Sequence, residues 1–82
     1  MLEIKHKPNF LKRIKKIKDN TLKEKLKKQI AKIIEFPEIG KPMMHNRKGT
    51  REVYIHPFRL SYAYIEKENK IVFLDLYHKD EQ

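Results

Sequence analysis

The chain has 82 residues with 20 Lys/Arg, 11 Asp/Glu and four His, a formal net charge of +9, two glycines, four prolines and no cysteine. That length fits one domain, residues 1–82, with a modest core that buries about 60% of the unfolded chain's surface. The missing cysteines exclude disulfides and thiolate metal sites. No apolar run approaches the ~18 residues a membrane span needs, and MLEIKHK lacks the apolar centre of a signal peptide, so a cytoplasmic protein with no membrane partner is expected. Residues 1–50 carry fifteen Lys/Arg against five Asp/Glu, and residues 51–82 carry five against six. Basicity concentrated in the first part of the chain points to a polyanionic partner.

Leu2 and Ile4 alternate with Glu3 and Lys5, which predicts a short strand ending before Pro8. Pro8 suits a first helical turn. Phe10, Leu11, Ile14 and Ile17 then recur at helical spacing among lysines until Asp19-Asn20 interrupts them. Thr21 with Glu24 fits a capping box that opens a second helix. Leu22, Leu26, Ile30, Ile33 and Ile34 form its apolar stripe, which ends near Phe36 before Pro37. The segment Pro37–Thr50 reads as irregular. Three strands follow at 51–56, 58–65 and 70–77, with turns at His56-Pro57 and Glu66–Asn69. The order β-α-α-β-β-β predicts an α+β fold, a helical hairpin on one face of a small, mainly antiparallel sheet.

Within the strand at 58–65, Phe58, Leu60, Tyr62 and Tyr64 alternate with Arg59, Ser61 and Ala63. An arginine on the less bulky face of a sheet, downstream of Arg47, Lys48 and Arg51, suits an exposed phosphate. If Ile65 pairs with Lys70, paired positions sum to 135 and Arg59 lies opposite Leu76, with His78 on the same face one step along. A bulge or an odd loop would bring Asp75 and Tyr77 to that face instead. RNA cleavage through a 2′-hydroxyl needs a base, positive charge at the phosphorus and an acid for the leaving oxygen. Arg59 could clamp the phosphate, His78 could carry protons, and Tyr54, Tyr62 or Tyr77 could stack on a base. The competing structural reading pairs Arg59 with Glu52 or Asp75 and leaves His78 at an exposed strand end. On pattern alone the structural reading is favoured. The scattered histidines lack metal-ligand spacing, so no metal or cofactor is expected.

Gly40-Lys41-Pro42, then Arg47-Lys48-Gly49, then Tyr54-Ile55-His56-Pro57-Phe58-Arg59-Leu60-Ser61-Tyr62, and finally Lys70-Ile71-Val72-Phe73-Leu74 with Tyr77-His78-Lys79-Asp80, carry a resemblance. In this order and spacing the chain resembles the RelE/ParE superfamily of type II toxin–antitoxin toxins. A RelE-like identity implies a ribosome-dependent endoribonuclease that cuts mRNA and inhibits translation. It also implies a cognate acidic, RelB-like antitoxin, with operator DNA bound through it. Carried over by position, Arg59, His78 and Lys79 are the implied catalytic residues, with Arg47, Lys48, Arg51, Tyr54 and Tyr77 contacting substrate. Glu52 and Tyr54 stand where such toxins often carry basic residues, and the terminal tyrosine of several members is missing. A ParE-like toxin that inhibits DNA gyrase, and a catalytically inactive antitoxin-binding module, are the alternatives.

Overall fold

The computed structural model describes residues 2–43 and 49–81, so Arg47 and Lys48 lie outside the described residues. The elements are β1 (Glu3–His6), α1 (Pro8–Lys16), α2 (Asn20–Glu35), β2 (Lys41–Pro42), β3 (Thr50–Ile55), β4 (Phe58–Ile65) and β5 (Lys70–His78), closed by a 3-10 turn at Lys79–Glu81. One five-stranded sheet runs β1-β5-β4-β3-β2. β3, β4 and β5 form the antiparallel meander that the alternation predicts, and β1 joins β5 in parallel. The α+β architecture is as expected. β2 is the addition: two residues within the supposedly irregular segment pair with Arg51 and Glu52. Pro42 is tolerated there because an edge strand need not donate on its outer side.

The helices follow from their apolar spacing and from what stops them. Pro8 takes the first turn of α1, and the chain turns extended at Ile17. α2 is capped differently from the expected box. The Asp19 carboxylate accepts from the Thr21 N–H at 2.9 Å and from the Leu22 N–H at 3.5 Å. An ionised acceptor satisfies the free amides and complements the positive end of the helix dipole, so it displaces a threonine hydroxyl from that role. Glu24 lies 3.8 Å from Lys27 instead.

α1 lies against β5 and α2 against β3. Phe10, Ile17, Leu26 and Ile33 enter the core from the helices and meet Ile55, Leu60, Tyr62, Ile71, Phe73 and Leu76 from the sheet. Burying these side chains supplies the main driving force for the fold. The stripes are narrower than the sequence suggests, since Leu11 and Ile34 remain exposed. Near one edge of the core, the Phe10 and Phe73 rings stack at 5.2 Å, and His6 stacks over both at 5.6–5.7 Å.

The β4–β5 ladder decides what reaches Arg59. Ile65 pairs with Lys70 as expected, and the regular register holds as far as Tyr62 with Phe73. It then shifts by one residue, so that Ser61 pairs with Asp75, Leu60 with Leu76, Arg59 with Tyr77 and Phe58 with His78. Leu74 is the extra residue of a β-bulge. The regular register would have set Asp75 opposite Leu60, inside the core. Burying an unpaired carboxylate there is far costlier than one irregular step in a ladder. The bulge instead buries both Phe73 and Leu76 and frees the Asp75 carboxylate, which accepts from the Leu76 N–H at 2.8 Å. The expectation that His78 shares Arg59's face is therefore corrected.

Candidate functional site

Cα partners across a ladder point their side chains to the same side, so the register sorts the strands into two faces. Arg51, Val53 and Ile55 of β3 share the helix-covered face with Phe58, Leu60 and Tyr62 of β4. Glu52 and Tyr54 share the open face with Ser61 and Arg59. β5 adds Asp75 and Tyr77 to the open face, and Leu76 and His78 to the other.

Arg59 stands at the centre of the open face. Its Nη1 donates to the Glu52 carboxylate at 3.0 Å, a half-buried ion pair across β3 and β4. The other Glu52 oxygen accepts from the Tyr77 hydroxyl. The Tyr54 ring, opposite Arg59 on β3, has its centroid 5.8 Å from Cζ, within cation–π range. The Tyr54 hydroxyl in turn lies 2.9 Å from His56 Nδ1. A cation, a carboxylate, two phenols and an imidazole thus form one connected group on three strands and the turn after β3. Arg59 and Tyr54 share this face by simple alternation, whereas Tyr77 reaches it only through the bulge, which the regular pairing expected from the sequence did not include. Glu52 binds Arg59, as the structural reading of the sequence anticipates. His56 is the residue that sequence reasoning missed, although its i, i+2 spacing from Tyr54 within an alternating run was a signal of a shared face.

The remaining sequence candidates lie elsewhere. His78 faces the helix side and meets Phe58 edge-on at 5.6 Å. Its Nδ1 accepts from the Asp80 N–H at 3.2 Å and lies 3.5 Å from the Asp80 carboxylate. Lys79 begins the final turn, anchored by its N–H to the Pro57 carbonyl at 3.1 Å. Arg51 faces the helix side and donates through Nη1 to the Glu38 and Gly40 carbonyls at 2.9 and 2.8 Å, which ties it to the segment before β2.

Tyr62 is likewise withdrawn from any stacking role, being fully buried. Its hydroxyl donates to the Pro37 carbonyl at 2.7 Å and accepts from the Gly40 N–H at 2.9 Å. Burial raises its pKa above the usual tyrosine value, against smaller downward effects of the Gly40 hydrogen bond and the Arg51 charge. The approach is so close that a Cβ at position 40 would lie 2.6 Å from that hydroxyl oxygen. Glycine is therefore required there.

An apolar recess of about 200 Å³ opens between the end of α1 and the start of α2. Ile17, Leu22, Phe58 and Leu76 line it, and Arg13, Lys16 and Lys18 stand among its walls. Among the described residues no group of three or more His, Asp or Glu side chains is arranged to hold a metal ion. No helix among them is long and apolar enough to cross a membrane.

Comparison with known proteins agrees with this layout. A chain of the intact RelBE toxin–antitoxin complex from E. coli superposes with a TM-score of 0.80 at 19% identity, over 95% of this chain and 96% of that one. The toxin–antitoxin complex RelBE2 from Mycobacterium tuberculosis gives 0.77 at 18% identity, over 95% and 98%. YafQ from E. coli gives 0.74 at 22% identity, over 99% and 97%. At these identities the likeness establishes the fold. No curated protein shows significant sequence similarity to the chain. The family model described as the ParE toxin of the type II toxin–antitoxin system, parDE, matches residues 4–82. With nearly its whole length matched, the chain belongs to the ParE toxin family of type II toxin–antitoxin systems, within the RelE/ParE superfamily.

Proposed function

We propose that this toxin is an endoribonuclease that cleaves mRNA on the ribosome, with Arg59 meeting the scissile phosphate. The observation that carries the reading is the position of Arg59, central on the open face of the sheet and flanked by Tyr54 and Tyr77 from the neighbouring strands. An arginine with a tyrosine opposite it on each neighbouring strand suits single-stranded RNA, whose bases can stack while the phosphate is clamped. Attack of the 2′-hydroxyl on phosphorus breaks the bond to the 5′-oxygen, and the guanidinium offsets the charge that gathers on the phosphoryl oxygens. On this face the Tyr54–His56 pair is best placed to move protons. His78 and Lys79, implied catalytic residues by family resemblance, stand at the end of β5 on the far side of Arg59's strand and form the competing assignment.

The partner that fits the other face is an acidic, amphipathic antitoxin segment. The recess at the α1–α2 junction would take an apolar side chain, while Arg13, Lys16 and Lys18 would meet the segment's carboxylates. Binding would stabilise a small domain and neutralise charge at once. A RelE mutant has been seen in complex with a RelB peptide, and the same kind of partner is proposed here.

Two observations favour a second reading. Glu52 neutralises Arg59 and His78 faces away, which suits a toxin that inhibits gyrase without cutting RNA, or an inactive antitoxin-binding module. Expression in cells with toe-printing of ribosome-bound mRNA separates them. The nuclease reading expects growth arrest with new mRNA ends, both lost in Arg59→Ala. If His56→Ala is silent and His78→Ala abolishes cleavage, the proton role passes to His78. Arrest without new ends, together with inhibited supercoiling by purified gyrase, overturns the nuclease.

A further inference from the structure

We propose that the Glu52 carboxylate occupies, between Arg59 and Tyr77, the place of a phosphodiester, so that single-stranded RNA engages the open face only by displacing it. The proposal rests on the reading that Arg59 receives a phosphate. It assigns Glu52 as a positioning residue that sets the affinity of that site.

Three observations carry it. First, the carboxylate divides its oxygens as the two non-bridging oxygens of a phosphodiester would. One accepts from Arg59 Nη1 and the other from the Tyr77 hydroxyl. Second, the hold is incomplete. Arg59 Nε is buried and has no hydrogen-bond partner among the described residues, so the guanidinium does not form the two-pronged fork that makes arginine–carboxylate pairs strong. A buried donor left unmatched is a standing cost of the closed arrangement, and it favours exchange for an anion with more acceptor oxygens. Third, the order of exposure suits displacement. The Arg59 side chain is 37% exposed and that of Glu52 is 18% exposed, so the cation is more open to an incoming anion than its internal partner is. Lys41, the Cα partner of Glu52 on β2, offers the released carboxylate a second cation.

The test measures binding apart from cleavage. A fluorescently labelled single-stranded RNA with every 2′-hydroxyl methylated is titrated with the full-length protein, and anisotropy gives Kd. Glu52→Gln keeps the shape and removes the competing charge, and it should tighten binding by about tenfold, the loss of one charge-assisted competitor. Glu35→Gln on exposed α2 makes the same change of net charge away from the site and should shift Kd by less than about twofold, as a screened surface charge does. Arg59→Gln should weaken binding and cancel the gain in the double variant. Tyr77→Phe removes one of the two groups holding Glu52 without any change of charge, and should tighten binding by a smaller factor. It also serves where Glu52→Gln folds poorly.

If Arg59→Gln leaves Kd unchanged, the phosphate site falls and this proposal falls with it. If Arg59→Gln weakens binding while neither Glu52→Gln nor Tyr77→Phe tightens it beyond Glu35→Gln, the phosphate site stands and Glu52 is not its internal occupant.

Discussion

Replacing Tyr62 with phenylalanine isolates the contact that fixes the chain between α2 and β2. The ring stays in the core, where Tyr62 is fully buried, and only the hydroxyl is lost. Its removal leaves the Pro37 carbonyl without its donor at 2.7 Å and the Gly40 N–H without its acceptor at 2.9 Å. Two lost hydrogen bonds, partly offset by rehydration of the Pro37–Gly40 segment, give an expected loss of about 2 kcal/mol. For a domain of this size that is a fall in Tm of about 8–16 °C. Urea denaturation monitored by circular dichroism measures it directly, with an unchanged slope showing that the same surface unfolds.

The pH profile provides a second arm. Burial raises the Tyr62 pKa in the folded state above its ordinary value of 10.0. Between the unfolded and folded values the folded chain therefore binds more protons than the unfolded one. The stabilisation is complete below the unfolded pKa and is lost as pH rises through the raised one. Wild type should lose this contribution on alkaline titration and Tyr62→Phe should not show that loss. A loss under about 0.5 kcal/mol, or identical alkaline profiles, would refute the anchoring role.

Other expectations follow from the caps and close approaches. Asp19→Ala should cost about 1 kcal/mol while Thr21→Ala costs a few tenths, read from urea midpoints, because the aspartate and not the threonine satisfies the first amides of α2. Gly40→Ala should destabilise by about 1–3 kcal/mol, since its Cβ would meet the Tyr62 hydroxyl and ring at 2.6 and 2.8 Å. Combined with Tyr62→Phe its cost should shrink but not vanish, because the hydroxyl contact goes while the ring contact stays.

The architecture was legible because its period signals were long and consistent. The alternation at 58–64 and the helical stripe from Leu22 to Ile34 each ran for enough turns to specify one face. The site was legible only where it depended on one strand. Tyr54 and Arg59 reach the open face by simple alternation, whereas Tyr77 depends on a ladder between strands. The signal for the bulge was nevertheless present. Continuing the core positions Ile71 and Phe73 by two reaches Asp75, and skipping Leu74 reaches Leu76. The conflict between a regular ladder and a buried carboxylate was local enough to be seen.

Arg51 was harder to place, since its partners are backbone carbonyls of the Pro37–Gly40 segment, which no residue pattern announces. Thr21 lost its capping role to a better acceptor two residues earlier. β2 is too short to have a period.

The Leu74 bulge makes Asp75 a distant selector of chemistry. The residues of β5 beyond it have two ways to fall, one bringing a phenol to Arg59 and the other an imidazole. Asp75 pairs with Ser61 and not with Arg59, yet its aversion to the core picks the phenol. An apolar residue at that position would relieve the penalty on the regular register, which sets Leu76 opposite Arg59 and turns His78 to Arg59's face and Tyr77 away from it. In this fold, the identity of the group beside the central arginine is set by a solubility preference two residues away along the strand.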